Sequence, residues 1–107
     1  MTHMSRTLLG LLLAACAGCS TVLRDSQTAI DQGRYQEGLG RLEASMSEQP
    51  ADPERRMAYY RARDQVINRL LGAAAAELAA GRLDAAASAY AQVQAVDAAF
   101  LLIRFRP

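Results

Sequence analysis

Two thirteen-residue segments of this chain, GRYQEGLGRLEAS from Gly33 and GRLDAAASAYAQV from Gly81, align without a gap at an offset of 48 residues. The match extends beyond the glycine–arginine opening. An apolar or aromatic residue stands two places after the glycine (Tyr35, Leu83), a small one five places after it (Gly38, Ala86) and a large one nine places after it (Leu42, Tyr90). Each position has a physical task in a pair of packed helices. The glycine permits a tight turn, the small residue lets two helices approach closely, and the large residues fill the space between helix pairs. A pattern written twice in this way restricts the chain to helical hairpins.

The remaining punctuation agrees. Gly33, Pro50, Pro53 and Gly81 divide the sequence into four pieces, at about 20–32, 34–49, 53–80 and 82–97. In the second, Tyr35, Leu39, Leu42 and Met46 recur at steps of three and four, the spacing of one helical face. Gly38 and Gly40 weaken that helix by roughly 1 kcal/mol each relative to alanine. In the third, the spacing selects Met57, Tyr60, Ile67, Leu71, Ala74 and Leu78 as the buried stripe, broken by Asp64. In the fourth it selects Leu83, Ala86, Ala87, Tyr90 and Val93. Pro53 suits a first helical turn, with Asp52 as its N-cap. No segment alternates with period two, so the expected class is all-α.

The N-terminus holds the most constrained chemistry. Cys16 and Cys19 follow an uncharged run, Thr7 to Ala15, that is too short to span a bilayer. A redox pair needs a folded setting that lowers one thiol pKa, and zinc needs four ligands, for which His3 is the only other candidate of the usual kind. A processing signal explains the pattern better. Arg6, TLLGLLLAA and Leu13-Ala14-Ala15-Cys16 resemble a bacterial lipoprotein signal peptide and its cleavage box. The resemblance implies a signal peptide over 1–15 and lipid on Cys16, with Cys19 as the alternative. The residue after the lipidated one, Ala17 or Ser20, is not the aspartate that favours inner-membrane retention in that family. The implied location is therefore the periplasmic face of the outer membrane.

The duplicated segment resembles the turn and second helix of the tetratricopeptide repeat. Pro50 stands where that family ends its repeat, whereas Ala98 occupies the place in the second copy. Asp25 and Ser26 depart from the expected leucine and glycine of the first helix, while Ala73 and Ala74 are acceptable. The offset exceeds the usual 34 by about 14 residues, close to four helical turns, which lengthens a helix while keeping its face in phase. The expected architecture is thus two tetratricopeptide-like hairpins over 16–98, with an elongated third helix. Residues 99–107 form an apolar tail, AFLLIRFRP. The lipoprotein signal followed by QGRYQEGLGRLEASMSEQP and its continuation is similar to the region that precedes the secretin domains of outer-membrane secretins in type II secretion and pilus systems. That resemblance implies a secretion or pilus assembly component as protein partner. The alternative it leaves is a truncated, non-functional remnant of a secretin gene.

Composition narrows the function further. Twelve basic residues, all arginine, face eleven acidic ones, for a net charge of +1. A neutral, mixed-sign surface does not suit nucleic acid or polybasic attachment to anionic lipid. The stretch RRMAYYRAR, 55–63, reads as a solvated face opposite a packing stripe. The sole histidine, His3, lies in the segment expected to be removed, so no serine has a base to activate it. Asp52 and Glu54 flank Pro53 as helix-start residues rather than an acid–base pair. No glycine-rich phosphate loop occurs. The expectation is a non-enzyme with no cofactor, metal or small-molecule substrate. It would bind protein through the inner surface of its hairpins, with Tyr59, Arg63 and Gln65 as candidate contacts.

Overall fold

The computed structural model describes residues 21–104. Among them are four helices and no strand: α1, residues 21–31; α2, Tyr35–Glu48; α3, Pro53–Ala79; and α4, Leu83–Arg104. The chain is all-α, as its periodicities predict. The signal segment 1–15, Cys16 and Cys19 lie outside the described residues.

Two glycine turns set the helix boundaries. Gly33 and Gly81 have φ of +80° and +78°, the left-handed conformation in which a side chain is strained. At the first, Gly33 N–H donates to Ile30 O (3.0 Å) and Arg34 N–H to Ala29 O (2.8 Å). At the second, Gly81 N–H donates to Leu78 O (3.1 Å) and Arg82 N–H to Glu77 O (2.9 Å). This is the Schellman arrangement, in which the residues beyond the helix end satisfy its last carbonyls. The next helix starts alike in both copies, with Gly38 N–H on Arg34 O and Ala86 N–H on Arg82 O, each at 3.1 Å. The 48-residue register of the sequence is therefore also a register of backbone hydrogen bonds. The α2–α3 connection works differently. Pro50 follows the end of α2, Asp52 Oδ1 accepts from Glu54 N–H at 3.0 Å, and Pro53 opens α3 without needing its missing donor.

The chain divides between Tyr60 and Arg61 into two compact units. The first contains α1, α2 and the opening turns of α3. Its core is Ser26, Ala29, Ile30, Leu39, Leu42, Met46 and Tyr59. Gly38 is where α2 meets α1: a Cβ there would stand 2.8 Å from Ser26 O and 2.7 Å from Ile30 Cγ1. Arg55 ties the start of α3 to α2, its Nη1 donating to Ser45 O at 2.9 Å. The expected face of α2 holds, since Leu39, Leu42 and Met46 are buried and Tyr35 is partly so.

The second unit contains the rest of α3 and all of α4. Its core is Ala62, Val66, Leu70, Ala74, Ala86, Ala89 and Val96. Arg63 of α3 binds Asp97 of α4. The two lie at similar distances from the turn at 80–82, so the helices run antiparallel. The long third helix is present, at 27 residues. Two expectations are corrected. The buried column of α3 is Tyr59, Ala62, Val66, Leu70 and Ala74, while Met57, Tyr60, Leu71 and Leu78 are exposed. The doublets Tyr59-Tyr60, Val66-Ile67 and Leu70-Leu71 put apolar residues in two adjacent columns, and the one a residue earlier is buried. In α4, Ala86 is buried as expected, with Ala89 and Val96, but Leu83, Ala87 and Tyr90 are exposed. Small residues bring the helices together there, and the larger ones stand at the flank. The helix also continues beyond 97, through Ala98 and Ala99 as far as Arg104.

Candidate partner-binding face

The three residues singled out from the sequence are placed as follows. Tyr59 is 2% exposed and belongs to the core of the first unit, edge-on to the Tyr60 ring with centroids 5.8 Å apart. Its side chain is not presented to solvent in this conformation. Arg63 is largely buried and held by Asp64, at 3.2 Å, and by Asp97. Gln65 is partly exposed. Tyr59 falls in the first unit, and Arg63 and Gln65 in the second.

Several ionisable groups of the described residues form ion pairs at the surface. Glu37 accepts from Arg34 and, at 3.1 Å, from Arg41; hydrogen bonds from both arginines hold its carboxyl below the usual carboxylate range. Arg82 does the same for Glu77, with its Nη2 donating to Oε1 at 3.2 Å. These pairs brace a helix start and a helix end. Among the described residues there is no group of three or more His, Cys, Asp or Glu that could hold a metal ion. None of the helices described is long and apolar enough to cross a membrane.

Sequence reasoning missed a surface in the second unit. Leu71 and Leu78 are exposed on α3, seven residues apart; Leu83 and Tyr90 are exposed on α4, also seven apart. Leu71 follows buried Leu70 by one residue, and Tyr90 follows buried Ala89 by one. Each is thus rotated about 100° past its own buried column, in the same sense. On antiparallel helices the same sense points to the same side of the pair. Leu78 and Leu83 flank the glycine turn, with Leu71 and Tyr90 two turns further on. The intervening α4 surface carries little charge, since residues 85–96, AAASAYAQVQAV, contain no ionisable side chain other than Tyr90. The signal was available as the doublet Leu70-Leu71, which marks a helix apolar on more than one face.

No protein-family model, curated protein or solved structure matches this chain.

Proposed function

We propose that this chain is a lipid-anchored protein-interaction module with tetratricopeptide-like helix pairs, held at the periplasmic face of an outer membrane and serving a secretion or pilus assembly system. It works by binding a protein partner, without catalysis, cofactor or nucleic acid. The observation that carries the reading is the recurrence, 48 residues apart, of the same glycine turn with the same hydrogen bonds, followed five residues on by a buried small residue, Gly38 or Ala86. Stacked units of this design present extended surfaces for peptides and helices. The membrane part of the proposal rests on Leu13-Ala14-Ala15-Cys16, and the choice of pathway rests on the resemblance to secretin N-terminal regions.

Lipid attachment is tested by metabolic labelling with palmitate and fractionation of the envelope. Cys16→Ser should abolish labelling and release the chain into the soluble fraction. Labelling that survives in this variant but disappears with Cys19→Ser moves the anchor to Cys19. Labelling that is absent from the unsubstituted chain, or survives loss of both cysteines, removes the lipid anchor from the proposal.

A further inference from the structure

The internal register supplies a comparison within one molecule. At an offset of 48, Leu78, Leu83 and Tyr90 correspond to Ile30, Tyr35 and Leu42. Leu78 is 51% exposed and Ile30 0%; Tyr90 is 42% exposed and Leu42 5%. Leu83 is exposed where Tyr35 is partly buried. The positions nearest the turn are therefore covered or partly covered in the first copy and open in the second, while Leu71 and its counterpart Leu23, at 41% and 50%, are open in both. In the first unit, the element that follows α2 is the start of α3. Arg55 anchors it to Ser45 O, and its Tyr59, buried, stands as far beyond the connecting loop as Leu42 stands before it. A single helix, laid alongside the second helix of the pair, closes the first copy.

We propose that the face formed by Leu71, Leu78, Leu83 and Tyr90 binds one amphipathic helix of a partner protein, in the place that the start of α3 takes beside α2. This deepens the reading of the chain as an interaction module and rests on that reading, but not on the lipid anchor. The occupant is a helix rather than a second copy of the chain because of area. Four large side chains about half exposed offer roughly 400 Å², about half of what each partner contributes to a standard protein–protein interface. A helix docked by a few anchors fits that size. Its chemistry follows from the surface that receives it. The stripe must be apolar, and large enough to fill the room left where Ala87 and Gln94 stand in place of Leu39 and Met46. It must also leave a polar group for the Tyr90 hydroxyl. Charges belong on its outer side, because Glu77 and Arg82 at the turn are already paired to each other.

The chain itself contains a probe of this type, residues 53–68, PERRMAYYRARDQVIN. A fluorescein-labelled synthetic peptide of that sequence is titrated with the full-length chain carrying Cys16→Ser and Cys19→Ser to prevent lipidation. Binding is expected with a Kd on the order of 10–100 µM. The double variant Leu78→Lys/Leu83→Glu should weaken it by about tenfold or more. Both substitutions suit their helix ends, a cation at the C-terminus of α3 and an anion at the N-terminus of α4, so helicity and melting should be retained. Equal binding by the double variant, or no binding at millimolar peptide, overturns the proposal. A concentration-dependent dimer that the double variant abolishes also overturns it, by making a second copy the occupant. Palmitate labelling is unaffected by any of these outcomes, so failure here is distinguishable from failure of the lipid anchor.

Discussion

Gly38 and Gly40 lie two residues apart in α2 and answer to different constraints. At Gly40 a Cβ would have nothing within 4 Å, whereas at Gly38 it would meet a backbone carbonyl oxygen and the Ile30 side chain. Ile30 can adjust its rotamer, but Ser26 O cannot move without moving α1. Gly40→Ala should therefore stabilise the protein by about 0.5–1 kcal/mol through helix propensity alone. Gly38→Ala gains the same propensity but overpacks the contact, which costs about 1–3 kcal/mol, so a net loss is expected. Urea unfolding of the two variants gives the comparison; equal gains would mean that α1 and α2 do not approach at Gly38. Ser26 is the other exception in this contact, since its hydroxyl is buried without a hydrogen-bond partner. Replacing it removes a desolvated polar group and leaves a space of one oxygen. Ser26→Ala should raise the unfolding midpoint, by about 1 kcal/mol in free energy. Alanine already occupies the corresponding position in the second copy, at Ala74, which is fully buried. A loss of stability in Ser26→Ala would show that the hydroxyl is satisfied after all.

Helix α3 carries apolar residues on two neighbouring columns, and the fold buries one of them. Leu70 and Leu71 make this measurable because they are the same residue at adjacent positions. Leu70→Ala opens a cavity among packed side chains and should cost about 2–5 kcal/mol. Leu71→Ala trims a side chain already half in water and should change stability by less than about 1 kcal/mol. Chemical denaturation of the pair decides; similar losses at both positions would mean that the Leu71 face is covered. This one 27-residue helix spans two units, and its composition changes along its length. Its longest charge-free run, Leu70 to Ala76, lies in the second unit, while its basic first half carries Arg55, which is used as a tie to Ser45 rather than left as a solvated charge.

Over the whole molecule, the described carboxylates whose ionisation responds most clearly to folding are Glu37 and Glu77. Both are held below the ordinary glutamate value of 4.5 by arginine neighbours. Between the lowered folded value and 4.5, the unfolded chain binds more protons than the folded one, so stability rises with pH across that window. The contribution is fully present above 4.5 and is lost as the pH falls through the folded values. Urea midpoints measured from about pH 3 to about pH 7 should therefore fall on the acid side. The double variant Glu37→Gln/Glu77→Gln should show a shallower acid limb. Added salt should shrink the difference, because both pairs lie at the surface. An acid limb unchanged by the double substitution would assign the acid response to other carboxylates.

The helices and their ends were legible in the sequence because each rests on a local rule. Gly33 and Gly81 alone can adopt the left-handed turn without strain, Asp52 and Pro53 together start a helix, and a residue spacing of three and four needs no distant partner. The 48-residue offset predicted a long third helix for the same reason, since an insertion of whole turns preserves the face. The position of the buried column was not local information. Tyr59-Tyr60, Val66-Ile67 and Leu70-Leu71 satisfy helical periodicity equally well on either column, and the hydrophobic effect rewards burial of both. Within the second unit, Val66 and Leu70 are buried with Ala86 and Ala89 of α4, where small side chains permit close contact. Leu83 and Tyr90 are too large for that seam and were left at its edge. The tertiary structure thus turned residues that read as core into an open apolar face, because packing distance between helices, rather than hydrophobicity, decides which apolar residues meet.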